Sequence, residues 1–125
     1  MKKVLVVDDA ATVRMFHRQI LEADGFAVDE AVNGIEALEK ALASEFDLYV
    51  VDINMPKLNG YAFVERIRAQ SDVRQVPIIT VSTEAQSRDR TQALACGANF
   101  YIVKPSPASR LSTYVRTMLG MMEVA

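Results

Sequence analysis

Val4-Leu5-Val6-Val7-Asp8-Asp9 sets a short apolar run directly before two acids. The arrangement recurs twice: Leu48-Tyr49-Val50-Val51 precedes Asp52, and Phe100-Tyr101-Ile102-Val103 precedes Lys104. Runs this short, rich in β-branched and aromatic residues and without polar alternation, read as buried parallel strands. Parallel strands all point the same way, so the groups that follow them gather at the carboxyl edge of one sheet, where open α/β folds place their ligands. The placement predicts that Asp8, Asp9, Asp52 and Lys104 converge there.

Around these runs, strand-like and helix-like periods alternate. Val13, Phe16, Ile20 and Leu21 recur at helical spacing, and Gly25 follows as a stop. Phe26-Ala27-Val28-Asp29-Glu30-Ala31 reads as a more polar edge strand. Asn33-Gly34 is a turn signal, after which Ile35, Leu38 and Leu42 stripe a second helix. Residues 53–60, Ile53-Asn54-Met55-Pro56-Lys57-Leu58-Asn59-Gly60, form a loop, and Phe63, Val64 and Ile67 stripe a third helix. Val76-Pro77-Ile78-Ile79-Thr80-Val81 reads as a fourth strand, with its proline tolerable near the start. The next helix, roughly Gln86 to Ala95, has only Leu94 and a few alanines as apolar residues and is lightly anchored. Gly97 ends it, and Leu111, Val115, Met118, Leu119 and Met122 stripe the last helix. Five strands alternating with five helices predict a doubly wound α/β three-layer sandwich. Periodicity leaves the strand order open.

The bounds agree with one domain over residues 1–125: the chain is long enough to bury a core. A net charge of −2 argues against direct nucleic-acid binding, which draws on a basic footprint. A single cysteine, Cys96, excludes an internal disulfide and reads as a small buried filler beside Gly97. Nothing approaches the ~20 apolar residues of a membrane span or the pattern of a secretion signal. The expectation is therefore a cytoplasmic protein with no membrane insertion.

Each member of the acid cluster has an ordinary reading. Asp8 or Asp9 suits a helix N-cap, Asp52 a loop acid, and Lys104 a solvated charge. Taken together those readings weaken, because carboxylates crowded within a few ångströms raise one another's pKa unless a cation neutralises them. Two carboxylates with a carbonyl and waters suit Mg²⁺, which shares its shell with phosphate. An aspartate can serve as a phosphoryl nucleophile, and phosphoryl transfer requires mainly positioning and charge neutralisation.

At this point the chain resembles the receiver domains of two-component response regulators. The likeness rests on Val7-Asp8-Asp9, Val51-Asp52, Asn54-Met55-Pro56, Asn59-Gly60, Val81-Ser82-Thr83, Gly97-Ala98 and Tyr101-Ile102-Val103-Lys104-Pro105, in order and across essentially the whole chain. The resemblance implies that Asp52 accepts the phosphoryl group and that Asp9, Asp52 and the Asn54 carbonyl hold Mg²⁺, with Asp8 on a metal-bound water. It implies that Ser82 hydrogen-bonds the phosphoryl group and that Lys104 pairs with it. Strand order 2-1-3-4-5 and a cis peptide between Lys104 and Pro105 follow from the same likeness; X-Pro is where cis bonds occur. Asn54 and Glu84 resemble the pair that tunes dephosphorylation in stand-alone chemotaxis-type, CheY-like regulators. The length supports that comparison and implies no separate effector domain. The departure is Ser106-Pro107 after Pro105, where family members often have Phe.

A phosphoacceptor switch needs a donor and a reader. His17 lies in the first helix, away from the strand ends, so the donor is expected to be another protein, a histidine kinase; no Walker-type or GxGxxG loop for ATP is present. The reader is expected to be a protein target such as a flagellar motor, a kinase or a relay protein. It would bind the face made by the fourth helix, with Arg88 and Arg90, and by Tyr101, which resembles the family's switch aromatic. The chain is thus expected to act on its own phosphorylation and dephosphorylation rather than as an enzyme. A phosphorelay intermediate is the alternative. A haloacid-dehalogenase-like phosphohydrolase also uses a strand-end Asp, but has a second Asp where this chain has Asn54. An FMN binder of the same architecture would need a phosphate loop where Asp8-Asp9-Ala10-Ala11 stands.

Overall fold

The structure is a computed structural model and describes residues 1–83, 86–104 and 108–120. Its elements are β1 (Lys3–Val7), α1 (Ala11–Ala23), β2 (Ala27–Ala31), α2 (Gly34–Ala43), β3 (Leu48–Asp52), α3 (Gly60–Ala69), β4 (Ile78–Ser82), α4 (Ser87–Cys96), β5 (Phe100–Val103) and α5 (Ala108–Met118). The strands form one five-stranded sheet in the order β2-β1-β3-β4-β5, every pair parallel. The polar run at residues 27–31 is an edge strand, as its composition implies. The fourth strand starts two residues later than its apolar run, past Pro77, whose carbonyl still accepts from the Tyr49 amide.

Alternate residues of a strand face opposite sides, and the core divides accordingly. Leu5, Val7, Tyr49, Val51 and Ile78 pack under α2 and α3 with Ala37, Ala41, Phe63, Val64 and Ile67. Val4, Val6, Val50, Ile79, Val81 and Ile102 pack on the other face against Leu21 of α1 and Leu111 and Val115 of α5. A third cluster, Ile53, Ala93, Ala98 and Tyr101, lies beneath α4.

Three stripes depart from expectation. In α2 the buried residues are Gly34, Ala37 and Ala41, whereas Ile35 and Leu42 are 43% and 52% exposed. The approach is closest at the first turn, where a Cβ on Gly34 would lie 2.4 Å from the Leu58 carbonyl oxygen; Leu38 alone of the expected stripe packs against the core, partly buried. In α4 it is Ala93 that is fully buried and Leu94 that is 48% exposed, because Tyr101 fills the space below. In α1, Phe16 is exposed and Leu21 supplies the buried contact. Asn33-Gly34 is no free turn; Asn33 caps α2, its side chain accepting from the Glu36 amide at 2.9 Å.

The C-terminal end of α4 is fastened. Gly97 takes φ +118°, a left-handed C-cap. Its carbonyl accepts from Arg68 Nε at 2.9 Å, while the rest of that guanidinium donates to Gln75, the Val76 carbonyl and Asn99. The thiol of Cys96 donates to the Ala93 carbonyl, and burial pushes its pKa up; it is half-buried, less enclosed than the buried filler expected.

Candidate functional site

Parallel register aligns the strand ends. Val7 is level with Val51, Asp52 with Val81, and Ser82 with Val103, so Asp8, Asp52, Ser82 and Lys104 emerge side by side at the carboxyl edge. Carboxylate oxygens of Asp8, Asp9 and Asp52 lie within 4.8 Å of one another. Lys104 Nζ bridges two of them, donating to Asp8 Oδ2 at 2.9 Å and to Asp52 Oδ1 at 3.2 Å. Asp8 and Asp52 are buried, at 2% and 6% exposure, and Asp9 is exposed.

Neither Asp8 nor Asp9 caps α1. The N-cap is Ala10, which has no side-chain cap bond; Asp8 Oδ1 instead accepts from the Ala10 amide at 2.9 Å. The remaining polar atoms of Asp8 are taken as well. Its amide donates to the Ala31 carbonyl, and its carbonyl accepts from Arg14 Nη1 at 2.8 Å.

The electrostatics follow from burial and crowding. Burial and then the neighbouring Asp8 charge push the Asp52 carboxyl above its ordinary value, and Lys104 only partly opposes them. For Lys104 burial acts to lower the pKa, but the hydrogen bond and charge of Asp8, with those of Asp52, outweigh it and hold the ammonium above its ordinary value. The lysine is thus a permanent cation, and the acids around it exceed it in charge. Such a site has room, electrostatically, for a divalent cation.

Asn54 is exposed beside the cluster, its Nδ2 3.4 Å from the hydroxyl of the buried Ser82. The loop that carries it turns through two left-handed residues, Lys57 (φ 49°) and Leu58 (φ 76°), and closes where Gly60 donates to the Ile53 carbonyl. Tyr101 is buried beneath α4, and Arg88 and Arg90 are exposed on that helix. Arg90 and Arg110 flank a groove of about 360 Å³ lined by Leu94, Phe100 and Tyr114. His17 is half-buried on α1, with burial lowering its pKa. Glu84 and the stretch Pro105, Ser106 and Pro107, with the expected cis peptide, lie outside the described residues, as does Met122.

Sequence reasoning did not single out Arg14 or Glu30. Arg14 Nε and Arg18 Nη1 both donate to the Glu30 carboxylate, at 3.0 Å and 2.6 Å, which holds it well below its ordinary pKa. The available signal was a basic residue one turn into α1 opposite an acid on the edge strand.

Parallel strands in this order, with strand-end acids and a lysine converging on one edge, define the class. The response regulator receiver domain model matches residues 4–116, and the chain belongs to that family. It is 38% identical over 120 residues to the chemotaxis protein CheY1 of Helicobacter pylori, covering 94% of this chain and 97% of that protein. It spans only 48% of the transcriptional regulatory protein ResD of Bacillus subtilis and 10% of the sensor protein EvgS of Escherichia coli. Among solved structures, the chemotaxis protein CheY4 of Vibrio cholerae superposes with a TM-score of 0.89 at 35% identity, covering 95% of this chain and 99% of that one. The receiver domain of the Pseudomonas aeruginosa sensor kinase PA1611, with magnesium coordinated in its active-site cleft, gives 0.87 at 30% identity, covering 95% and 98%.

Proposed function

We propose that this receiver domain is a signalling switch in which Asp52 takes a phosphoryl group from a histidine kinase and the change is read at the face formed by α4, β5 and α5. The observation that carries the reading is the single ammonium of Lys104 spanning Asp8 and Asp52, with Asp9 alongside. Lys104 contacts Oδ1 of Asp52, and Oδ2 is assigned as the nucleophile. In the transfer a bond forms from that oxygen to phosphorus as the bond from phosphorus to the donor imidazole breaks, and the imidazole nitrogen leaves with the electron pair. Asp9, Asp52 and the Asn54 carbonyl would hold Mg²⁺, with Asp8 on a bound water; the ion supplies positive charge for the equatorial phosphoryl oxygens. Lys104 stays protonated and exchanges part of its carboxylate contact for the phosphoryl group. Ser82, 3.4 Å from Asn54, exchanges that contact for a hydrogen bond to the same group.

A chemotaxis-type output is favoured by likeness to CheY1 over nearly the full length of that protein. The match to a receiver segment within a sensor protein, 31% identical, supports phosphorelay as the second reading. The test is labelling with acetyl phosphate and Mg²⁺, followed by intact-mass spectrometry. One phosphoryl group is expected on the native chain and none on Asp52→Asn or after chelation; unchanged labelling in either case refutes the assignment.

A further inference from the structure

Asp8 is held from four directions, and three of them are local to the strand ends or to the site itself: Ala31 on β2, the Ala10 amide and Lys104. The fourth comes from the body of α1. Arg14 Nη1 donates to the Asp8 carbonyl at 2.8 Å while its Nε donates to Glu30 at 3.0 Å, and the arginine side chain is 14% exposed. The carbonyl it grips belongs to the Asp8–Asp9 peptide. That unit is planar, so fixing its oxygen fixes the direction in which the chain leaves Asp8 and enters Asp9. A rotation of this one peptide would swing both carboxylates relative to Asp52. Glu30 lies on β2 directly opposite Val6 of β1. It holds the guanidinium in place, with Arg18 on its other oxygen at 2.6 Å, and offsets part of the positive charge that Arg14 brings beside the site.

From this geometry we propose that Arg14, braced by Glu30, is a positioning residue for the cation site, aiming Asp8 and Asp9 at a metal shared with Asp52. The inference rests on the Mg²⁺ reading given above. It makes a prediction whose sign differs from simple electrostatics. Removing a cation near three carboxylates should, by Coulomb's law alone, tighten divalent binding. Loss of a group that orients metal ligands weakens affinity 10- to 100-fold.

The experiment uses the full chain and Mn²⁺ as the probe, with affinity read by electron paramagnetic resonance and calorimetry and unfolding followed separately in chelator. Arg14→Met is expected to weaken Mn²⁺ binding by about tenfold or more; unchanged or tighter binding overturns the proposal. Glu30→Gln is expected to weaken binding less. The double variant should bind no more weakly than Arg14→Met alone, since Glu30 acts through the arginine, and additive losses would mean independent roles. Should Arg14→Met fail to fold, Arg14→Lys, which lacks the fork to reach both partners, must still lose affinity several-fold, and native affinity in that variant overturns the idea. If the native chain binds no Mn²⁺, the metal reading falls and this one with it. Native binding with unaltered variants removes only the role of Arg14.

Discussion

Asp52→Asn should make the protein more stable at pH 7 in the absence of divalent metal, by about 1–2 kcal/mol. Asp52 sits 3.2 Å from one cation and within 4.8 Å of two other carboxylates. At an effective dielectric constant of about 20, the attraction is worth roughly 5 kcal/mol and each repulsion roughly 3.5 kcal/mol. Asp9 is exposed and its share is screened, so attraction and repulsion nearly cancel. The desolvation of a carboxylate at 6% exposure is then left without compensation, in keeping with the raised pKa. The sign follows from linkage: a group that binds its proton more tightly when folded loses stability as pH rises from its unfolded value through its folded one. The native protein should therefore lose stability relative to Asp52→Asn above about pH 4, and the gap should close as pH falls below that value. A divalent ion that binds only the folded state, as proposed for Mg²⁺, would at ten times its Kd add about 1.4 kcal/mol to the native protein and narrow or reverse the gap. Urea unfolding of both proteins, in chelator and in Mg²⁺ across this range, tests the reasoning. An Asp52→Asn variant less stable than the native chain at pH 7 in chelator, or a gap indifferent to acid, would refute it.

Gly60→Ala should cost more than about 2 kcal/mol, since its Cβ would lie 2.5 Å from the Asp52 carbonyl oxygen and 2.7 Å from Ile53 Cα; a denaturation midpoint close to native contradicts that. The phosphoryl group on Asp52 should be lost within seconds to minutes, more slowly with bulkier residues at Asn54 or Glu84, and a label that survives for hours in the native chain points instead to a slow switch or relay. Arg88→Glu or Arg90→Glu should weaken binding of the output partner while leaving labelling of Asp52 intact. Tyr101→Ala should weaken it too, and because Tyr101 is buried it should also lower stability by about 3 kcal/mol. Amide exchange with and without beryllofluoride should change across α4, β5 and α5; changes confined to α1 and α2 would move the output face elsewhere.

What the sequence made legible was the part governed by direction. Apolar runs ending in Asp8, Asp52 and Lys104 specify parallel strands, and parallel strands bring their ends together whatever their order. What it concealed was governed by separation. Ile35 and Leu42 have the spacing of a core stripe, yet the face of α2 that turns inward carries Gly34, Ala37 and Ala41, with Gly34 close against Leu58, a distance that no local pattern encodes. The clamp of Arg14 on the Asp8 carbonyl was hidden for a related reason. Its partners are a backbone atom and a glutamate on another strand, and neither leaves a mark on helical periodicity.

The four-way grip of Arg68 has a mechanical consequence for α4. It pins the Gly97 end of that helix to α3 and to the segment just before β4, while among the described residues the Tyr61 hydroxyl of α3 donates to the Asp89 carbonyl in its first turn at 3.4 Å. A rod clamped at one tip does not slide; it swings about that tip. Displacement arising at Ser82 would then be magnified toward Arg88 and fade toward Cys96, so a partner that reads this helix gains most by gripping its first turn.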